Sequence, residues 1–307
     1  MTNRSIDLSV NIAGVKFSNP VIAASGTFGF GREYSNYIDL DTIGGISVKG
    51  LTLEERQGNT PPRIAETPAG ILNSVGLQNP GVRNFIKKEL PFLKRYNTKI
   101  IANIAGNTVE EYCSMTEILS DIDIDAIELN VSCPNVKRGC AAFGNSVEGI
   151  REVTEQVRRY CKKPLIVKLT PNATDIKEIA LAAEEAGADA LSLINTILGM
   201  AIDIHKKRPI LGNNVGGLSG PAVRPIAVRM VYEVANVVNI PVIGMGGIFD
   251  GEDAVEFLLA GASAVMVGTA NFVNPTACVD VVEGIEDYLT RHNHNNVHEI
   301  IGKLQVY

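Results

Sequence analysis

The chain has 307 residues, 45% of them hydrophobic and 20% charged, and a net charge of −6. That is the composition of a soluble globular protein long enough to bury a full core, and the acidic balance without a basic block argues against nucleic acid as the main partner. The longest apolar stretch, around Ala190 to Ile204, is broken by Asn195, Thr196 and Asp203, which excludes a membrane span; Met1 to Asp7 is too polar for a signal peptide, and five scattered cysteines without a C-x-x-C pair suit a reducing cytoplasm rather than disulfides or a metal cluster.

Leu8, Val10 and Ile12 alternate, Ala13-Gly14 turns, and Val15 and Phe17 alternate again, which predicts a small N-terminal β-hairpin. Eight short runs, apolar on both faces, follow as strand candidates: Pro20 to Ala24, Gly45 to Lys49, Lys99 to Asn103, Ala126 to Asn130, Leu165 to Leu169, Ala190 to Ile194, Val242 to Met245 and Ala264 to Val267. Amphipathic stretches separate them. Asn107 to Glu111 offers capping-box chemistry before a helix reaching Leu119. Val147 to Tyr160, Ile176 to Ala186, Val223 to Val238 and Ala254 to Leu259 are further helices, and Gly187 and Gly261 stop two of them. Eight βα units without a linker or a break in composition predict a single α/β domain over 1–307, a closed (β/α)₈ TIM barrel. The main rival is an open doubly wound sheet, weakened because no G-x-G-x-x-G follows the first strand. Two long insertions, Thr52 to Gln78 and Thr196 to Pro221, are expected to be lids or binding loops.

In such a barrel the C-terminal strand ends face the active site. Those ends carry Ser25, Lys49, Asn103, Asn130, Lys168 and Asn195-Thr196. A lone asparagine at a strand end more often caps a turn, and a lone lysine is more often a solvated charge; six polar ends at one mouth are harder to explain by stability. The last two strands end in glycine, at Gly246-Gly247 and Gly268-Thr269. Tight turns would explain one such pair. Two of them on adjacent strands, with Gly216-Gly217-Leu218-Ser219-Gly220, favour a phosphorylated cofactor held by backbone N–H groups. Lys168 interrupts a buried strand and needs an anionic or strongly accepting partner, such as a reduced flavin; a substrate carboxylate would serve Lys49.

Most buried cysteines are small hydrophobes, which is the expectation for Cys113, Cys161 and Cys278. Cys133 differs, lying just past the fourth strand in Asn130-Val131-Ser132-Cys133-Pro134-Asn135, beside hydroxyl and amide side chains. The four histidines lie elsewhere and no strand end supplies Asp or Glu, so Cys133 is the candidate left for a general base. Cys140 is expected to be a spectator thiol.

That motif, together with Asn73-Ser74-Val75-Gly76-Leu77 and Ile194-Asn195-Thr196, resembles class 1 dihydroorotate dehydrogenases, FMN-containing barrels of pyrimidine biosynthesis. The likeness runs from Asn19-Pro20 to about Asn274-Pro275, and Val136 to Gly139 with Ala142 to Gly144 looks like subclass 1B rather than the fumarate-using 1A; Cys140 departs from the glycine expected there. The resemblance implies that Cys133 takes the C5 proton of (S)-dihydroorotate while a hydride leaves C6 for the flavin. It implies that Lys49, Asn73, Ser74, Val75, Gly76, Leu77, Asn130, Asn135, Asn195 and Thr196 hold the substrate. It assigns FMN to Ser25, Lys49, Gly50, Asn103, Asn130, Lys168, Ile194, Gly220, Gly246, Gly247, Gly268 and Thr269. It further implies a homodimer and a partner subunit carrying FAD and a [2Fe–2S] cluster, in a heterotetramer that delivers electrons to NAD. The competing readings are a class 1A-like enzyme or a flavin barrel acting on another pyrimidine, an RNA-modifying flavin barrel, a flavin-free lyase using Lys168 as a Schiff base, and a silent binding subunit; the acidic charge speaks against the RNA enzyme.

Overall fold

The computed structural model describes residues 6–131 and 143–307. The chain opens with an antiparallel hairpin, β1 (Val10–Ile12) and β2 (Val15–Phe17). Its turn places Ala13 and Gly14 at φ of 52° and 85°, both positive as the tight two-residue hairpin turn requires. Phe17 is 1% exposed and lies against Gly45, where an added Cβ would sit 3.0 Å from its ring. Gly45 begins a barrel strand, so the hairpin packs at the N-terminal end of the barrel.

Next come β3 (Val21–Ala23) and β4 (Gly45–Ser47), then β5 (Ile64–Thr67) and β6 (Gly70–Asn73) in the first insertion. The barrel resumes with β7 (Lys99–Ile104), β8 (Ala126–Asn130), β9 (Leu165–Lys168) and β10 (Ala190–Leu193). The second insertion holds β11 (Ile197–Gly199), β12 (Ile202–Asp203), β13 (Arg208–Pro209) and β14 (Gly216–Ser219), and β15 (Val242–Met245) and β16 (Ala264–Val267) complete the barrel. Strands β3, β4, β7, β8, β9, β10, β15 and β16 close in that order, every neighbouring pair parallel. The closed barrel is therefore the architecture, and the open doubly wound sheet is excluded.

The helices sit where the periodicity put them, with ends fixed by side chains. Thr108 accepts from the Glu111 N–H at 3.3 Å, and the Glu111 carboxylate reaches back to the Asn107 N–H at 2.7 Å, so the box capping Val109–Ser120 closes one residue earlier than the usual motif. Ser146, Asp175 and Asp250 cap Val147–Tyr160, Ile176–Glu185 and Gly251–Leu259 in the same way. Arg224–Ala235 is shorter than the expected Val223 to Val238, and Ala277–Arg291 follows the last strand. The expected eight βα units need one correction. The link from β3 to β4 is made by two 3₁₀ turns, Tyr34–Asn36 and Leu40–Thr42.

The two insertions are not separate loops. β5 and β6 form a hairpin that pairs through β14 with β11 into one antiparallel sheet, aligning Ile64, Asn73, Gly217 and Leu198 in a row. Ala65, Leu72 and Leu211 give it a small core of its own. It also gives Gly216 and Gly217 a packing role. A Cβ on Gly216 would meet the Asn73 carbonyl oxygen at 2.6 Å and one on Gly217 would collide with the Thr196 side chain, so those glycines serve close strand packing. No helix among the described residues is long and apolar enough to cross a membrane.

Candidate active site

The C-terminal strand ends and the inserted sheet enclose a cavity of about 1180 Å³, counting the part open to solvent. The first two barrel strands deliver Ser25, Lys49 and Gly50 to its wall, and β8, β9 and β10 deliver Asn130, Lys168, Ile194, Asn195 and Thr196. From the last two strands come Gly246, Gly247, Gly268 and Thr269, and the first insertion adds Asn73, Val75, Gly76 and Leu77. The barrel thus brings together residues drawn from segments more than 200 positions apart in the chain.

Three expected site residues lie behind the wall. Asn103 is fully buried and donates to Glu128. Ser74 is also fully buried, and its Oγ has no hydrogen-bond partner among the described residues. Gly220 (φ 103°) stands behind Gly247, where an added Cβ would meet its carbonyl oxygen at 2.7 Å. Cys133, Asn135 and Cys140 lie outside the described residues.

Among the described lining residues there is no histidine, cysteine, aspartate or glutamate. The titratable groups of the described wall are Lys49 and Lys168, so this surface attracts anions. The described cysteines are held as thiols: burial pushes the Cys278 thiol up to about 12, against a hydrogen bond to Asn271 that works the other way, and burial likewise raises Cys161 and Cys113. None of the three lines the cavity.

The backbone around the cavity is tightly constrained. Gly76 and Leu77 both have positive φ, 75° and 56°, which is unusual for a leucine, and the Leu193–Ile194 peptide is cis. Gly246 and Gly247 have φ of 132° and 79°. A Cβ on Gly247 would come within 2.8 Å of the Arg224 Cβ and one on Gly246 within 2.8 Å of the Ala227 Cβ, so only glycine lets this turn pass so close to Arg224–Ala235, the helix that precedes β15. Thr269 donates to Ser219 at 2.9 Å, tying the end of β16 to the inserted sheet beside these glycines.

Beneath the cavity lies a polar layer that the sequence pattern hid. Glu128 is fully buried. Its carboxylate accepts from Ser47 (2.6 Å), Asn103 (2.6 Å) and Ser192 (2.7 Å). Burial alone would raise its pKa, but the nearby Lys168 charge and these three donors outweigh that and hold it below the ordinary glutamate value. Above it, Asn130 donates to Asn103 at 3.4 Å and Asn195 donates to Asn130 at 3.4 Å. Glu128 interrupts an apolar strand as Lys168 does, and that shared signature could have marked it. Ile64, Ile71, Leu218, Met245, Met266 and Phe272 also line the cavity; as ordinary apolar residues they carried no signal.

The dihydroorotate dehydrogenase family model matches residues 7–289. The chain is 62% identical to the dihydroorotate dehydrogenase B (NAD(+)) catalytic subunit of Alkaliphilus oremlandii, covering 99% of this chain and 100% of that protein. It is 56% identical to the protein of the same name from Thermoanaerobacter pseudethanolicus, over 98% of this chain and 100% of that one. Among solved structures, the crystal structure of DHODH in complex with ferulenol from Eimeria tenella superposes with a TM-score of 0.83 at 24% identity, covering 99% of this chain and 90% of that chain. That likeness speaks to the fold alone. With the family match across nearly its whole length and relatives this similar, the chain belongs to the dihydroorotate dehydrogenase family, on its class 1B side.

Proposed function

We propose that this cavity oxidises (S)-dihydroorotate to orotate in pyrimidine biosynthesis, with FMN as the resident cofactor and Cys133 as the general base. The observation that carries the reading is a wall that, among the described residues, has two lysines and no acid and is lined by amides and closely packed glycines. Such a wall suits an anionic planar ring and a phosphorylated cofactor together.

The fit to FMN rests on three features. The Gly246-Gly247 turn and Gly268 present backbone where no side chain intervenes, as phosphate capture requires. Lys168, 4% exposed, places a cation at the cavity wall. Apolar Met245, Met266 and Ile194 supply a flat-ring environment. When bound, FMN supplies the hydride acceptor.

The chain's own residues do the rest. Lys49 pairs with the substrate carboxylate, and Asn73, Asn130, Asn135 and Asn195 match the ring's carbonyl and N–H edges, since an amide offers both donor and acceptor. Cys133, as thiolate, takes the C5 proton while the hydride departs from C6. A free thiol titrates near ~8.5, so turnover rises with pH until the thiolate form dominates. Ser25, Gly50, Ile194 and Thr269 complete the cofactor side; Val75, Gly76, Leu77 and Thr196 close the substrate side. Ser74, Asn103 and Gly220 support this wall from behind.

Residues 1–307 act as one domain, dimerise, and work in the cytoplasm with a second subunit, whose FAD and [2Fe–2S] cluster carry electrons on to NAD in a heterotetramer. The relatives' designation as catalytic subunits supports such a partner. The test is the purified protein under anaerobic conditions. It should hold FMN, lose its yellow colour on adding dihydroorotate, and reduce NAD only when the partner is added; a colourless protein, or a colour that dihydroorotate leaves unchanged, overturns the reading.

A further inference from the structure

The three amides that climb from the polar layer to the cavity form a directed chain. The backbone N–H of Thr196 donates to Asn195 Oδ1 at 2.7 Å. Asn195 Nδ2 donates to Asn130 Oδ1, Asn130 Nδ2 to Asn103 Oδ1, and Asn103 Nδ2 to Glu128 Oε2. A backbone N–H can only donate, and an ionised carboxylate can only accept. Each end therefore dictates the same direction to every amide between them. Reversing the chain would set Asn103 Oδ1 against the carboxylate and Asn195 Nδ2 against the Thr196 N–H, two repulsive contacts in the barrel interior, where unmade hydrogen bonds are most costly.

We infer that Glu128 is a positioning residue whose carboxylate sets the donor–acceptor direction of the Asn103–Asn130–Asn195 chain, and so selects the pattern of hydrogen bonds a ring in the cavity meets. Glu128 touches no ligand, since Asn103 and Asn130 stand between it and the cavity. Its negative charge is tolerated in full burial because Ser47, Ser192 and Asn103 satisfy it and Lys168 opposes it. A carboxylate needed only as a counter-ion for Lys168 would not require an amide as its third donor, nor that amide to face two more amides at the cavity wall. Direction is what the arrangement adds: with all three amides turned the same way, a ring carbonyl and a ring N–H in the cavity find different atoms, and a ligand with the opposite pattern meets like against like.

This inference rests on the proposed function, because the ring to be read is orotate. Two substitutions separate direction from charge. In Glu128→Gln the remaining oxygen still accepts from Asn103 and Ser47, and the Ser192 hydroxyl turns to accept from the new amide, so the direction survives. In Glu128→Leu the Thr196 N–H still directs Asn195 and, through it, Asn130, but the acceptor at the buried end is gone, so Asn103 can turn over and set its Nδ2 against that of Asn130. The experiment titrates orotate into the oxidised FMN holoprotein and reads the flavin spectrum. The expected result is that Glu128→Gln binds orotate within about threefold of wild type while Glu128→Leu retains FMN but weakens orotate binding about tenfold or more, the size of one unmade buried hydrogen bond. Asn103→Leu leaves Glu128 in place with its two serines and cuts only the link; it should show the same loss, and it decides the question if Glu128→Leu does not fold. Wild-type orotate affinity in either leucine variant, or an equal loss in Glu128→Gln, overturns the inference. A wild-type holoprotein that does not bind orotate instead ends the proposed function, so the two failures are distinct.

Discussion

The Tyr112 hydroxyl donates to the backbone oxygen of Asn130 at 2.8 Å, while its ring meets Phe143 edge-on at a centroid distance of 6.3 Å. One fully buried side chain thus holds both the last residue of β8 and the first described residue beyond 132–142. Tyr112→Phe keeps the ring contact and removes the donor. It should lower stability by about 1 kcal/mol, the usual net value of such a bond, and raise KM for dihydroorotate more than it lowers kcat. Chemical denaturation and steady-state kinetics check both; an unchanged denaturation midpoint would show that the bond contributes nothing.

Lys168 is the cation the proposed cofactor site cannot lose. Lys168→Ala should weaken FMN binding or shift the flavin potential, measurable by flavin release on dilution and by redox titration. It also removes the nearby positive charge that helps hold Glu128 ionised in full burial, so stability should fall as well. A variant with wild-type stability, FMN affinity and potential would remove Lys168 from the role.

Glu128 also predicts how the protein responds to acid. Its folded pKa is held below the ordinary value of 4.5. The stability it contributes is therefore fully present above that ordinary value and disappears as pH falls through the lower folded one. Wild type should lose stability as pH drops from about 4.5, whereas Glu128→Gln should show a shallower loss over the same window. Thermal melting of both proteins from pH 7 down to acid measures this, and parallel profiles would refute it.

Gly247 combines a φ of 79° with a Gly220 oxygen 2.7 Å from where a Cβ would stand. Gly247→Ala should cost about 1–2 kcal/mol from the left-handed backbone alone, with a further loss from the contact. Because the turn is assigned to phosphate capture, FMN affinity should fall with it. Thermal shift with and without added FMN separates the two effects. An alanine variant that melts like wild type and keeps its FMN would show that this turn is looser than its geometry implies.

Much of the architecture was legible because parallel strands covered on both faces must be apolar throughout, as Ile100, Ile101 and Ala102 are, and because caps such as Ser146 and Asp175 mark helix starts locally. The mouth was legible for a related reason: Asn130, Lys168 and Asn195 are polar residues where buried strands end. The inserted sheet was not. Pairing Asn73 with Gly217 depends on the barrel having already brought two distant loops together, and no local pattern encodes that. The packing role of Gly216 and Gly217 was hidden for this reason, since glycines that permit close strand packing and glycines that admit a phosphate look alike in sequence. Glu128 was concealed inside an otherwise apolar run, its three partners on three different strands.

The claim on which the account turns is that one thiol removes a proton while a hydride leaves the neighbouring carbon. The direct measurement is anaerobic stopped-flow mixing of the FMN-loaded protein with saturating dihydroorotate, comparing wild type with Cys133→Ala across pH. The account predicts that wild type bleaches its flavin with a rate that rises as the thiol ionises, and that the alanine variant binds orotate normally but bleaches about 10²–10⁴-fold more slowly, the range expected for a lost proton-transfer group. A Cys133→Ala protein that bleaches at the wild-type rate, with the same pH dependence, would contradict it.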